Sequence, residues 1–410
     1  MDRVSNMSIS SVYTVFLATA LLLSITAVVI SYVLISEIRE GLSAQGEMLS
    51  SLQSDVSELR NRISLLSTRV EDLRVLAEGL GLKYSELSKG LGGVKYPFML
   101  TDSAGRTVFI RHEPVRVVSV GPAITEILFA IGVGDRVVGV DRFSNYPPIL
   151  NELINNDTIK LVGDAFTLNV ELVVSLRPDV VFLTYSAQLE KYVKILSDLG
   201  VTVYVVKVDE MSDTYNALLT LGLVMNKVGE SLKLVEEMAN SVIETYMTVN
   251  AYLNKTGGTK VSVYWEVFPD YWTLGGNTFQ NHVVEYAGGV NVFANTSMTW
   301  FTASPESVIN LNPSVILISY NYGVFGSYQD LIDRISLRPG WGGITAVKEG
   351  RIYVIGGLTE DILSRPGPRV ALGVEILARV LYPEAFNLTQ VPNLIDDEVV
   401  ITWGLLQTRG

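Results

Sequence analysis

Two stretches of the chain are nearly copies of each other. "ELVVSLRPDVVFLTY" starts at Glu171 and "ESVINLNPSVILISY" at Glu306. Each opens on a glutamate and runs through a short apolar segment to a proline (Pro178, Pro313). Each then closes with a β-branched run ending in tyrosine (Tyr185, Tyr320). A helical turn, a proline that stops it and a buried strand make one αβ step. Writing that step twice predicts two lobes on one plan.

The flanking segments agree. "TDSAGRTVFI" reads as a strand pair around a Gly turn, "RVVSV" (Arg116–Val120) as a buried strand, and "AITEILFAIGVGDRVVGV" as a helix, a Gly stop and another strand. Later, "KVSVYW" (Lys260–Trp265) reads as a strand and "TFQNHVVEYAGGVNVFA" as a helix with its Gly stop. Alternating βα units predict an α/β fold of two Rossmann-like lobes, with mainly parallel sheets covered on both faces. The N-terminal lobe is expected over 98–225, the C-terminal lobe over 258–386 and a C-terminal tail over 387–410. Between the lobes, Met225 to Leu253 has no Pro, one Gly and helical periodicity. A single bridging helix over 226–254, roughly 38 Å long, follows. A cleft between two such lobes is a common place for a ligand.

The glutamate at the head of each repeat has a local explanation. Asn169 and Ser304 each precede it by two residues, as N-caps would, and Pro305 takes the first helical position. A carboxylate at the second position stabilises the helix dipole by about 0.3–1 kcal/mol.

Ahead of the lobes the chain changes character. No charged side chain stands between Arg3 and Glu37, and the run Val12–Ile35 has 24 residues. A helix crossing a bilayer needs roughly 20, and a cleaved signal peptide has a shorter apolar core of about 7–15. Residues 12–35 are therefore expected to be an uncleaved anchor after a short cytoplasmic tail (1–11). Four Asn-x-Ser/Thr triplets, at Asn156, Asn254, Asn295 and Asn387, follow the anchor and fit a cell-surface location outside the membrane.

A heptad comes next. Ile35, Leu42, Leu49, Val56, Ile63, Val70 and Ala77 recur every seven residues, and Ile38, Gln45, Leu52, Leu59, Leu66, Leu73 and Leu80 sit three after each. This 3-4 spacing predicts a coiled-coil stalk over 36–80, roughly 70 Å long and favouring a parallel homodimer. The alternative is a lone amphipathic helix lying on the main domain. The Gly-rich segment 81–97 reads as a flexible linker.

Composition narrows the function. The chain has 31 basic and 43 acidic residues, a net charge of −12, so it lacks the basic stripe of a nucleic-acid surface. It contains no cysteine and two histidines, which excludes thiolate sites, iron–sulfur clusters and multi-His metal centres. His282, in a predicted helix, is not expected to hold a metal. There is no nucleophile elbow, no phosphate-binding Gly loop and no HExxH, so an enzyme is not expected and no catalytic residue is assigned.

From about Tyr96 to Phe386 the sequence resembles the solute-binding proteins of ABC importers for cobalamin, iron siderophores and haem. "RVVSVGPAITEILFAIGVGDRVVGVDRFSNYPP", "GGNTFQNHVVEYAGGVNVFAN" and "RPGWGGITAVKEGRIYVI" carry that resemblance, in order. Within the family the segment from Gly276 to Val308 is most similar to the vitamin B12-binding members.

The resemblance implies that Glu171 and Glu306 dock on arginines of two permease subunits, one lobe on each. It implies a cleft lined by Phe166, Tyr185 and Trp300, with Arg369 of "RPGPRV" holding the ligand. Phe166 and Tyr185 stand where the vitamin-binding members carry Trp. Flat aromatic walls suit a broad, partly apolar chelate, and an Arg fork suits its peripheral oxygens. Tyr146, Tyr271 and Trp272 are weaker wall candidates, and Trp341 is expected in the core. No resident cofactor is implied; the cargo would be a metal chelate, and the partners ABC permease and ATPase subunits. A rival reading of another class is a sensor ectodomain that signals through its stalk.

Overall fold

The computed structural model of the protein describes residues 93–164, 166–320 and 327–406. The expected cytoplasmic tail (1–11), anchor (12–35), stalk (36–80) and most of the linker (81–97) lie outside them. Among the described residues no helix is long and apolar enough to cross a membrane.

A hairpin opens the described chain: β1 (Phe98–Thr101) pairs antiparallel with β2 (Thr107–Ile110). The N-terminal lobe follows as β3 (Val117–Val120), α1 (Pro122–Ala130), β4 (Val137–Asp141), α2 (Ile149–Asn155), β5 (Lys160–Gly163), α3 (Val170–Ser175), β6 (Val180–Thr184), α4 (Glu190–Asp198), β7 (Val203–Val206) and α5 (Met211–Val224). Its five strands form a parallel sheet in the order β5-β4-β3-β6-β7. Strands β3 and β7 are buried along their whole length, as a sheet with helices on both faces requires. Chain order reverses at β3, which neighbours both β4 and β6. Crevices for ligands open at the C-terminal ends of strands beside such a reversal.

The bridging helix α6 spans Val228–Thr256, two residues later at each end than expected, and stops at Gly257 with φ 66°. Glycine adopts that left-handed cap without steric cost. Over its roughly 43 Å, Met238, Val242, Thr245 and Val249 fall on one buried stripe. Each apolar member contributes about 1.5–3 kcal/mol by leaving water.

The C-terminal lobe runs as β8 (Ser262–Phe268), β9 (Trp272–Leu274), α7 (Phe279–Tyr286), β10 (Val290–Asn291), β11 (Trp300–Thr302), α8 (Pro305–Leu311), β12 (Val315–Ser319), α9 (Tyr328–Ser336), α10 (Thr345–Lys348), β13 (Ile352–Ile355), α11 (Gly357–Ser364), α12 (Val370–Leu381), β14 (Leu394–Ile395) and α13 (Asp397–Thr402). The sheet order is β11-β9-β8-β12-β13-β14, with β10 alongside β8. All pairings are parallel except those of β9 and β11. The mainly parallel two-lobed plan of the sequence is therefore present, with an antiparallel extension on one edge.

Two boundaries differ from expectation. Residues 387–410 are not simply a tail: β14 adds a parallel strand to β13. Asp397 Oδ1 accepts from the backbone N–H of Leu358 and Thr359, at 2.6 and 3.3 Å, and so caps α11. A strand of two residues is too short to show a pattern. At the other end, the last linker residues are pinned, since Val94 N–H donates to Asn226 Oδ1 at 2.9 Å and the Tyr96 hydroxyl to the Val224 carbonyl at 2.8 Å.

Candidate functional site

The two lobes meet where the C-terminal ends of their strands face a common seam. From the N-terminal lobe come α1, the loop after β4 and the first turn of α5. From the C-terminal lobe comes the segment that follows β13, through α11 into the start of α12. Asn145 Nδ2 donates to Asp361 Oδ2 at 2.9 Å, and the Thr214 hydroxyl donates to the Pro366 carbonyl at 3.0 Å. Arg369 crosses the seam. Its Nε and Nη2 donate to the two carboxylate oxygens of Glu126 at 2.8 and 2.6 Å, and its guanidinium lies 3.9 Å from the Tyr146 ring centre. The side chains of Arg369 and Glu126 are 11% and 3% exposed. Arg365 backs the pair, 3.7 Å from Glu126 and 2.7 Å from Asp361.

Arg369, expected as a free ligand fork, is thus already forked onto Glu126. Sequence reasoning missed Glu126 and Arg365. Glu126 reads as an ordinary residue of an apolar helix, and its partner is 243 positions away.

The loop after β4 is held by buried polar groups. Asp141 Oδ2 accepts from Gly121 N–H and from the Ser144 hydroxyl, both at 2.8 Å, and Oδ1 accepts from Phe143 N–H at 2.8 Å. The Ser144 and Ser119 hydroxyls reach Thr125 at 2.9 and 2.8 Å. Gly121 itself has φ 136°, and a Cβ there would stand 3.1 Å from the Thr184 side chain, so the turns after β3 and β6 approach closely only as written.

Two expected wall residues, Phe166 and Tyr185, follow strands β5 and β6 at the C-terminal edge of the N-terminal lobe's sheet, and the third, Trp300, stands on the outer strand β11 of the other lobe; all three are exposed. Phe166 is 57% exposed on the turn after β5, Tyr185 52% just after β6, and Trp300 43% at the start of β11. The Phe166 turn is built on Asp164, whose Oδ1 accepts from the N–H groups of Phe166 and Thr167, both at 2.8 Å. Those backbone donors hold the Asp164 carboxyl below the usual carboxylate range. Phe143, Phe268, Trp272 and Met298 are also exposed apolar side chains, the first just after β4 and the second at the end of β8. Of these, the sequence marked Trp272 alone. Trp341 is fully buried, as expected. Among the described residues no cluster of His, Asp and Glu is arranged to hold a metal ion.

Glu171 and Glu306 are exposed, each at the second position of its helix. The caps are those expected: Asn169 Oδ1 accepts from Leu172 N–H at 3.0 Å and Ser304 Oγ from Ser307 N–H at 3.1 Å. Each helix leads into the next parallel strand, so its N-terminus lies at the same sheet edge as the strand C-termini. The glutamates therefore stand on the seam side of their lobes. A recess of about 480 Å³, lined by Tyr252, Arg351, Tyr382 and Glu384 among others, lies by the N-terminal ends of β8 and β13, at the opposite edge.

Glu360, on α11, carries the most displaced carboxyl here. Burial, with the neighbouring Asp361 charge adding to it, pushes it up to about 8, and its Oε2 is buried with no hydrogen-bond partner. An acid whose folded pKa is raised loses stability as pH climbs from its unfolded value, near 4.5, to the folded one. The protein is expected to melt lower at pH 8 than at pH 5, with Glu360 contributing a few kcal/mol of that difference. Glu360→Gln should flatten the profile and raise the melting temperature at pH 8. Parallel profiles for the two proteins between pH 5 and 8 would reject this.

The sequence profile of the periplasmic binding protein family matches residues 117–357. An uncharacterised ABC transporter substrate-binding lipoprotein of Bacillus subtilis, YvrC, is 30% identical over 295 residues, covering 71% of this chain and 88% of its own. The vitamin B12-binding protein of Salmonella typhimurium is 27% identical, covering 65% and 90%. The solved structure of a possible iron-binding (periplasmic solute-binding) protein of Staphylococcus epidermidis superposes with a TM-score of 0.55 at 30% identity, over 66% of this chain and 100% of that one.

Proposed function

The chain belongs to the periplasmic binding protein family, and from that premise we propose that it captures a cobalamin-like metal chelate between its lobes and hands it to an ABC permease. The observation that carries the reading is the set of exposed aromatics on both lobes: Phe166 and Tyr185 just after strands of one, Trp300 on the outer strand β11 of the other. Exposed large apolar groups are costly to leave in water, and large exposed aromatics on both lobes favour a ligand surface. Aromatic rings bury a flat chelate with little loss of side-chain freedom. Haem and ferric siderophores are the alternative cargoes of the same cleft. Residues 12–35 would anchor the protein by a single pass, with the lobes outside the cell and the 36–80 stalk pairing two copies.

Titration of the purified full-length protein with cyanocobalamin, haemin and a ferric siderophore tests the cargo. Binding of none of the three would overturn the proposal. With the cargo in hand, Trp300→Ala is expected to weaken binding by about 1–3 kcal/mol, roughly 5- to 150-fold. Calorimetry on the variant checks it, and an unchanged affinity removes Trp300 from the wall.

A further inference from the structure

The turn between β8 and β9 holds its backbone against the ordinary preference of its residues. Asp270 and Tyr271 have φ of 60° and 66°. Neither is glycine, and a residue with a side chain in the left-handed region costs roughly 1–2 kcal/mol. Such strain persists where the surroundings over-determine the conformation.

The surroundings here are specific. The Arg338 guanidinium lies 4.1 Å from the Tyr271 ring centre and 4.7 Å from that of Trp341. Tyr271 meets Trp341 edge to face, with centroids 5.7 Å apart. Both terminal nitrogens of Arg338 donate to Glu266, each at 2.7 Å, and Glu266 Oε2 also accepts the Tyr264 hydroxyl at 3.0 Å. Glu266 is 3% exposed and comes from β8, while Arg338 comes from the loop after α9. The Tyr271 carbonyl accepts from Ala303 N–H at 3.0 Å, which ties the turn to the end of β11.

The hairpin so held presents aromatic side chains. Phe268 is the register partner of Trp272, Trp272 of Thr302, and Trp300 of Leu274. Cross-strand partners share a face, as do alternate residues on one strand, so Phe268, Trp272 and Trp300 belong to one face of β8-β9-β11. All three are exposed.

We propose that Glu266, Arg338 and Tyr271 form a positioning clamp that sets this aromatic face for the ligand. Arg338 touches no ligand in this scheme. It fixes Tyr271, Tyr271 fixes the turn, and the turn fixes the spacing of Phe268 and Trp272 beside Trp300. A planar fork is needed because the same group must meet a carboxylate edge-on and an aromatic ring face-on, which an ammonium does not do. The proposal rests on the reading that this face meets the ligand.

The test uses two variants of the full-length protein and two readouts. Arg338→Lys keeps a positive charge by Glu266 but loses the fork and the stack. Tyr271→Gly suits the positive φ and removes the ring, so its cost is the lost packing on Trp341 and Arg338 rather than backbone strain, and a lower melting temperature is expected. In both, amide hydrogen exchange across 268–274 is expected to quicken by about 3- to 30-fold while strands of the N-terminal lobe keep their protection. Affinity for whichever of cyanocobalamin, haemin or ferric siderophore binds the wild type should fall by a similar factor. Unchanged hairpin exchange in both variants overturns the clamp. So does faster exchange with undiminished affinity, since the hairpin would then be held but not for the ligand. If the wild type binds none of the probes, the cleft reading falls, and hairpin exchange alone decides whether the clamp exists.

Discussion

Replacing Arg369 with alanine is expected to cost the fold about 3–5 kcal/mol, because it strands the Glu126 carboxylate in the seam. Glu126 is 3% exposed, and both its oxygens are bonded to Arg369. Arg365, 3.7 Å away and already paired with Asp361 at 2.7 Å, is poorly placed to take over. For a domain of this size the loss corresponds to a fall of roughly 6–20 °C in melting temperature. The sign separates two roles. A fork reserved for ligand would leave the empty protein's stability alone and weaken binding only, as expected from the sequence. A seam pair lowers stability with no ligand present. Glu126→Leu with Arg369→Met should recover most of the loss, since well-packed apolar residues often replace a buried ion pair at little cost. Thermal melts of the ligand-free single and double variants decide it. A wild-type melting temperature for Arg369→Ala would return that arginine to the ligand.

The second large effect is expected on transport. If Glu171 and Glu306 meet permease arginines, changing both to Gln should leave ligand affinity near wild type and cut uptake sharply. Close charge pairs across an interface couple by about 1.5–7 kcal/mol, whereas the helix dipole contributes about 0.3–1 kcal/mol. Both side chains are exposed at the second position of their helices, with the caps supplied by Asn169 and Ser304. The local role is thus small and already shared. The two sites stand on separate lobes, so single variants should each lose part of the effect and the double should lose roughly the sum. Uptake by reconstituted importer, measured beside ligand affinity, checks this. Normal uptake by the double variant would leave the pair with their helix-end role alone.

The parts of the fold that were legible beforehand rest on short-range physics. The repeated step appears as α3-β6 and α8-β12, because a cap, an apolar turn and a proline act within a dozen residues. The bridging helix is close to its expected span because its stripe and its terminal glycine are local signals. Trp341, expected in the core, is fully buried. The anchor and stalk, written as strongly as anything in the chain, fall on residues 1–92 and lie outside the described structure.

What the sequence by itself determined is the alternation of the main helices and strands, the bridging helix and the turns that carry Phe166 and Tyr185; Trp300, expected on a loop, opens strand β11. Tertiary structure alone decided which charges meet. Glu126 finds Arg369 across 243 positions, and Glu266 finds Arg338 across 72. It also decided that Leu394 and Ile395 would close the edge of a sheet begun at Ser262. The reason is physical. Caps and periodicity act through neighbours on the same turn or strand, so the local string records them. An ion pair or an edge strand is chosen by what remains unsatisfied after the elements pack, and that is a property of the assembled lobes.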